Sequence, residues 1–196
     1  MKISCDFECK DVEIIKYIQN INFNPDNIKM ILISEALTSD IKNYFDGPNI
    51  PQFIQTTNIA YNDAGFVFKN YTEYLNYGIY LTTALKCQKK DYLVSSETIK
   101  NCSFVLENEL NKFKNIKVIM LMGDFAIKSV NYIWKRKFSK KIIPEGSTYK
   151  IRKGIYEDQG IRFFPSYTQT GDSFNIEKTK HKMISEDIKL AMEFLN

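Results

Sequence analysis

The chain has 196 residues, of which 44% are hydrophobic and 26% charged, which is usual for one globular domain. No stretch approaches the ~20 apolar residues that span a bilayer, which argues against a membrane protein. The charged N-terminus predicts that there is no signal peptide. We therefore expect one domain over residues 1–196, acting in the cytoplasm as a monomer without a membrane partner.

Apolar runs alternate with helical patterns along the chain. In order, they predict a helix over 11–20, a strand over 29–34, helical pieces over 56–64 and 71–77, a strand over 78–85, and a helix over 95–113. There follow a strand over 117–121, a helix from 124 to 132 or beyond, an irregular stretch or hairpin over 140–160, a strand over 160–164, and a C-terminal helix. Strands separated by helices predict an α/β fold, a three-layer α/β/α domain with a central four-stranded parallel sheet.

The segments that follow the four predicted strands are the first candidates for an active site. Ligands of such sheets bind beyond the carboxyl ends of the strands. These four exits are Ser34–Thr38, Thr82–Cys87, Met122–Phe125 and Phe164–Gln169. We expect any active site to be built from them.

Basic residues are concentrated between Lys128 and Lys153, where nine Lys and Arg accompany one acid, Glu145. The rest of the chain carries 18 basic and 22 acidic residues. Such a segment suits a polyanion such as nucleic acid, or it is simply a solvated lysine-rich face.

The four cysteines of the chain suggest a metal site. They are Cys5, Cys9, Cys87 and Cys102. Structural disulfides are disfavoured in the cytoplasm, whereas four thiolates suit an iron–sulfur cluster or a tetrahedral zinc ion. The alternative is four unrelated thiols, with Cys102 in the core stripe of its helix.

The strand exits resemble, in order, the motifs of the uracil-DNA glycosylase superfamily, closest to its family 4, which carries an iron–sulfur cluster. Residues 34–38, Ser-Glu-Ala-Leu-Thr, resemble the family's Gly-Glu-Ala-Pro-Gly, and residues 83–87 resemble Asn-Val-Val-Lys-Cys. Residues 122–126 resemble its Leu-Gly motif with a following Ala, and residues 164–167 resemble His-Pro-Ser-Tyr. The cysteines match the family's ligand set, so the resemblance implies a [4Fe–4S] cluster on Cys5, Cys9, Cys87 and Cys102, with zinc as the alternative.

The resemblance implies a hydrolase that flips uracil or another altered base out of DNA and excises it. Glu35 would be catalytic, because a carboxylate there can stabilise an oxocarbenium-like sugar and activate water, although it could instead cap the following helix. The implied base pocket comprises Ala36, Phe53, Thr83 and Phe164. Tyr44 and Phe45 are rivals of Phe53 for stacking on the base, and any of these aromatic rings could instead be core. The implied DNA contacts are Lys86, Gly123, Lys128, Pro165, Ser166 and Tyr167.

Two departures from the family pattern support a different function. Thr83 stands where the family has the Asn that reads uracil, and Phe164 stands where it has His. A hydroxyl makes fewer hydrogen bonds to a base than an amide does. The main alternative is therefore a non-catalytic nucleic-acid-binding relative that keeps the fold and the cluster. A third hypothesis, an unrelated nucleotide or phosphate binder on a flavodoxin-like sheet, leaves the paired cysteines unexplained.

Overall fold

A mixed sheet flanked by helices forms the centre of the molecule. The computed structural model describes residues 5–13, 22–37, 50–91, 93–170 and 172–195. Its strands are β1 (Val12–Glu13), β2 (Met30–Leu37), β3 (Ile79–Lys89), β4 (Val118–Met122), β5 (Tyr156–Asp158) and β6 (Ile161–Ser166). Its α-helices are α1 (Gln52–Asp63), α2 (Tyr71–Asn76), α3 (Ser96–Leu110), α4 (Asp124–Phe138), α5 (Thr148–Ile151), α6 (Asp172–Ile176) and α7 (Lys178–Glu193).

The sheet has the strand order β1-β3-β2-β4-β6-β5. The four predicted strands are its parallel centre, β3-β2-β4-β6. The predicted number of strands is wrong, because β1 and β5 extend the two edges as antiparallel strands. With two and three residues these strands are too short to produce an apolar alternation that the sequence would reveal.

Consecutive residues of β6 show that helices cover both faces of the sheet. The ring of Phe163 packs edge-on against Trp134 of α4, with centroids 4.8 Å apart. The ring of Phe164 packs against Phe194, at the end of α7, at 5.6 Å. Because neighbouring side chains of a strand point to opposite faces, α4 and α7 lie on opposite sides. The helix α3 packs beside α4, and α1 packs beside α7, so the predicted three-layer α/β/α fold is confirmed.

The middle of the sheet is buried on both faces. Residues 30–33 of β2 and Leu121 of β4 are all fully buried. A strand covered on both sides is apolar throughout, which explains why the sequence showed continuous apolar runs in place of alternation.

One predicted helix needs correction, and a predicted hairpin is confirmed. The helix predicted over 11–20 is wrong at its start, because Val12 and Glu13 pair with Lys89 and Gln88 as β1; residues 14–20 lie outside the described part. The stretch 140–160, predicted to be irregular or a hairpin, contains α5 and the first strand of a hairpin formed by β5 and β6, so the hairpin is confirmed, with its second strand beyond residue 160. Its turn residues Gln159 and Gly160 have φ values of 52° and 74°, as a type I′ turn requires.

No helix among the described residues is long and apolar enough to cross a membrane.

Candidate active site and cysteine cavity

The strand exits meet at the carboxyl edge of the parallel strands, as the sequence predicted. Ser34 pairs with Thr83 in register, and Met122 pairs with Ser166. The N–H of Gly123 donates to the carbonyl of Ser166 at 3.0 Å, which ties the ends of β4 and β6 together. This edge is therefore the candidate active site.

The Glu35 side chain lies at the N-terminus of α4. Its Oε1 accepts a 3.4 Å hydrogen bond from the N–H of Phe125. A Cβ atom at Gly123, which has a φ of +100°, would lie 2.5 Å from the same oxygen, so only glycine leaves room for the carboxylate. Burial raises the pKa of Glu35, against the lowering effects of the Phe125 N–H and of Lys89.

This geometry leaves the catalytic role of Glu35 open and corrects the capping alternative, which named the following helix. The carboxylate caps a helix, and that helix is α4, from a distant part of the chain. It is also half-buried at the carboxyl edge, where a carboxylate with a raised pKa can act on a bound substrate. The helix N-terminus is correspondingly unavailable to a phosphate, since Gly123 and Phe125 donate their N–H groups within the protein. The predicted DNA contact at Gly123 is not supported.

The residues predicted for the base pocket lie close to the core. Phe53, on α1, is 4% exposed and belongs to the main hydrophobic core, as the core alternative proposed. Thr83 is buried, and its hydroxyl donates to the carbonyl of Leu85 at 2.7 Å. Phe164 is buried against Phe194, whereas Ala36 is half-buried. Tyr44 and Phe45 lie outside the described residues.

The predicted phosphate loop at the end of β6 is occupied by internal contacts. Ser166 is fully buried, and its hydroxyl donates to Asp187 Oδ2 at 2.6 Å. The Asp187 carboxylate also binds Arg152, whose Nη2 lies 2.7 Å from Oδ1. Pro165 is buried inside the strand, whereas Tyr167 is half-buried with Lys180 Nζ 5.6 Å from its ring centroid. Of these three residues, only Tyr167 remains a candidate DNA contact.

Sequence reasoning missed a polar network that joins two of the strand exits to α1. Gln169 is fully buried, and its Nε2 donates to Ser34 Oγ at 2.9 Å and to Thr57 Oγ1 at 3.2 Å. The Thr57 hydroxyl in turn donates to the Phe53 carbonyl at 2.7 Å. The only sequence signal was the position of Ser34 and Gln169 at strand ends, which does not say that they touch.

The two lysines predicted to contact DNA differ in accessibility. Lys86 is 5% exposed, and its Nζ binds Glu109 at 2.5 Å and Thr82 at 2.7 Å. Lys86 therefore forms a buried ion pair with Glu109 and cannot contact a phosphate in this conformation. Lys128 is exposed on α4, where it pairs with Asp124.

All four cysteines line one small apolar cavity of about 20 Å³ beside the end of β3. Phe7, Val12, Leu85 and Thr98 complete its lining. The four thiols are free of disulfides. The backbone N–H of Lys86 donates to Cys102 Sγ at 3.2 Å, a type of contact that also stabilises thiolates bound to metal. The structure thus brings together residues that are far apart in the sequence.

No family model matches the chain, and no curated protein sequence matches it.

The cysteines surround the cavity without meeting at one point. Among the described residues, no three His, Cys, Asp or Glu side chains are arranged to hold a single metal ion. Burial raises the pKa of Cys102 to about 12. This thiol is therefore protonated at neutral pH in the metal-free protein, and a metal would have to displace its proton.

Contacts of the protein itself hold the N-terminal segment against this cavity. Asp11 Oδ2 accepts hydrogen bonds from the Ser95 N–H at 2.9 Å and from the Thr98 hydroxyl at 2.8 Å. The ring of Phe7 stacks on Phe104 of α3 with centroids 5.8 Å apart. Cys5 and Cys9 are thus placed beside Cys87 and Cys102 by contacts other than a metal.

Proposed function

We propose that the protein is a DNA glycosylase-like hydrolase that releases uracil or another altered base from DNA and carries a four-cysteine iron–sulfur cluster. The observation that carries the proposal is the cavity lined by all four cysteines, because it reproduces the ligand set implied by the resemblance. The placement of Glu35 at the carboxyl edge of the parallel strands supports it independently.

Glu35 supplies the chemistry in this proposal. Flipping a nucleotide out of the duplex costs a few kcal/mol and brings its sugar to the edge of the sheet. Cleavage of the N-glycosidic bond leaves positive charge on the sugar, and the ionised carboxylate of Glu35 stabilises that charge and orients the attacking water. Partial burial strengthens this electrostatic effect, because water screens the charge less.

The spread of the four cysteines around their cavity favours a cluster over a single zinc ion. Four zinc ligands must all lie about 2.3 Å from one point, whereas a [4Fe–4S] cluster distributes its thiolates over different irons. The apolar lining shields such a group from solvent. When bound, the cluster would cross-link the N-terminal segment to β3 and α3.

A second candidate, a non-catalytic nucleic-acid-binding relative, is favoured by the state of the base-pocket residues. The Thr83 hydroxyl is bonded within its own strand, and Phe164 is packed in the interior. Neither group is aimed at a base. A protein of this kind would bind DNA without releasing a base.

An assay with labelled oligonucleotides separates the two candidates. Single- and double-stranded DNA containing one uracil is incubated with the protein, and alkali then cleaves any abasic site for detection on a gel. The glycosylase proposal predicts cleavage at the uracil position and none in matched DNA with thymine. DNA binding without cleavage on uracil and on a panel of other altered bases would establish the second candidate.

A further inference from the structure

A groove of about 410 Å³ lies between α4 and the segment 141–151. On α4 its lining residues recur every three or four positions, so they form one face of the helix. They are Asp124, Ile127, Lys128, Asn131, Tyr132 and Lys135. The opposite wall includes Lys141, Glu145, Gly146 and Thr148.

Asn131 fixes this wall against the helix. Its Oδ1 accepts the N–H groups of Ile142 and Ile143, both at 3.0 Å, and its Nδ2 donates to the Ile143 carbonyl at 2.9 Å. The Ile143 side chain is fully buried. The groove is therefore preformed, and a ligand need not order it.

Three lysines give the groove its chemistry. Lys128 pairs with Asp124 and Lys141 with Glu145, and both pairs are solvent-exposed, with lysine side chains 46% and 49% exposed. Exposed ion pairs are weak, so a phosphate can replace the carboxylates. In the part of the chain that the structure describes, the exposed Lys135 ammonium makes no hydrogen bond or ion pair.

The groove begins next to the candidate active site. Asp124 lines its end, and the neighbouring Phe125 donates its N–H to Glu35. We infer that the groove binds the phosphodiester backbone of the DNA strand as it leaves the candidate active site, through Lys128, Lys135 and Lys141. This inference rests on the proposed function and names the path of its substrate.

Several other basic residues of the 128–153 segment pair with acids outside the groove. Arg152 is buried with Asp187, and Arg136 binds Glu107 at 2.6 Å. Lys140 binds Asp158 at 2.8 Å. The positive segment that the sequence revealed is thus divided by the fold: Lys128, Lys135 and Lys141 line the groove, whereas Lys137, Lys150 and Lys153 are exposed outside it. Lysine contacts of this kind add affinity without reading the base sequence.

Two matched triple variants test the inference. The groove variant is K128Q/K135Q/K141Q, and the control is K112Q/K114Q/K117Q, which removes three exposed lysines just before β4, at the opposite end of the sheet. Fluorescence anisotropy measures binding to a labelled 20-nucleotide single strand between 50 and 200 mM salt. The groove variant is expected to bind at least ~10-fold more weakly at 0.1 M salt, with a salt slope lower by about 2. The control is expected to stay within about twofold of the wild type.

A further variant, Thr148→Glu, tests the inference without changing any lysine. It places a negative charge in the groove at the first turn of α5, where a helix tolerates an acid. It is expected to weaken binding at low salt without lowering the melting temperature, whereas unchanged binding would overturn the inference.

Equal loss in the groove and control variants would overturn the inference too, since net charge alone would explain the binding. Wild-type protein that releases base while the groove variants bind normally would overturn this inference alone. Absence of DNA binding by the wild type at low salt would overturn the proposed function as well.

Discussion

At the scale of single residues, Glu35 is held in a position that costs stability. Its pKa is raised by burial, so the carboxyl group holds its proton more tightly in the folded protein than in the unfolded chain. A carboxyl group of this kind stabilises the fold at a pH below its ordinary pKa, and that contribution is lost as the pH rises through the raised value. A stability cost of this kind is common where a charged group serves catalysis.

The substitution Glu35→Gln is therefore expected to separate activity from stability. Base release should fall by on the order of 10²-fold, because the charge that acts on the sugar is lost. The melting temperature at pH 7 should be unchanged or higher, since glutamine can still accept from the Phe125 N–H without a desolvated charge. This advantage should shrink as the pH falls through the raised pKa of Glu35, and it should vanish below the ordinary value, where glutamic acid is neutral in both the folded and the unfolded state. A large loss of stability at every pH would instead make Glu35 a structural cap.

Lys86 is expected to affect stability and leave DNA binding unchanged. Replacing it with Met would strand the buried Glu109 carboxylate, and breaking such a pair costs about 3–5 kcal/mol of unfolding free energy. The double variant K86M/E109Q removes the stranded charge and should recover part of the loss. Urea denaturation measures both. A lower salt slope for DNA binding in Lys86→Met, with stability intact, would contradict the role of this ion pair.

At the scale of elements, Asp11 fastens the N-terminal segment to the start of α3. Hydrogen bonds from Ser95 lower the pKa of Asp11, so its stabilising effect is present above its ordinary pKa and is lost as the pH falls through the lowered value. In metal-free protein at pH 7, Asp11→Ala should speed alkylation of Cys5 and Cys9 several-fold while Cys102 stays protected. Glu8→Ala, an exposed acid in the same segment, is the control. Equal rates in the two variants, measured by mass spectrometry, would show that Asp11 does not hold the segment.

The sequence predicted the elements of this fold better than the contacts of its site. The buried strands were visible because residues such as Ile31 and Leu121 form continuous apolar runs, and Glu35 and Gly123 were visible as strand exits. The sequence did not reveal that Lys86 binds Glu109 or that Ser166 binds Asp187. These partners lie 23 and 21 residues apart and leave no local pattern. Short edge strands such as β1 were missed because pairing with β3, and not its own sequence, makes Val12 and Glu13 a strand.

At the scale of the whole molecule, the parallel sheet brings residues from distant segments of the chain together at one edge. The end of β3 runs past Thr83, which pairs with Ser34, to Cys87 in the cysteine cavity. A cluster there would brace the strand whose exit forms one side of the candidate active site. Loss of the cluster should therefore weaken the fold around the N-terminal segment as well as the function.

The claim on which the account most depends is that the four cysteines hold one iron–sulfur cluster. The measurement is iron and acid-labile sulfide per chain, with the absorption spectrum, on protein purified without oxygen. Brown protein with about four iron and four sulfide per chain and broad absorption near ~400 nm is expected, with all three reduced in Cys102→Ser. Stoichiometric zinc without iron, or metal-free protein with four reactive thiols, would contradict it.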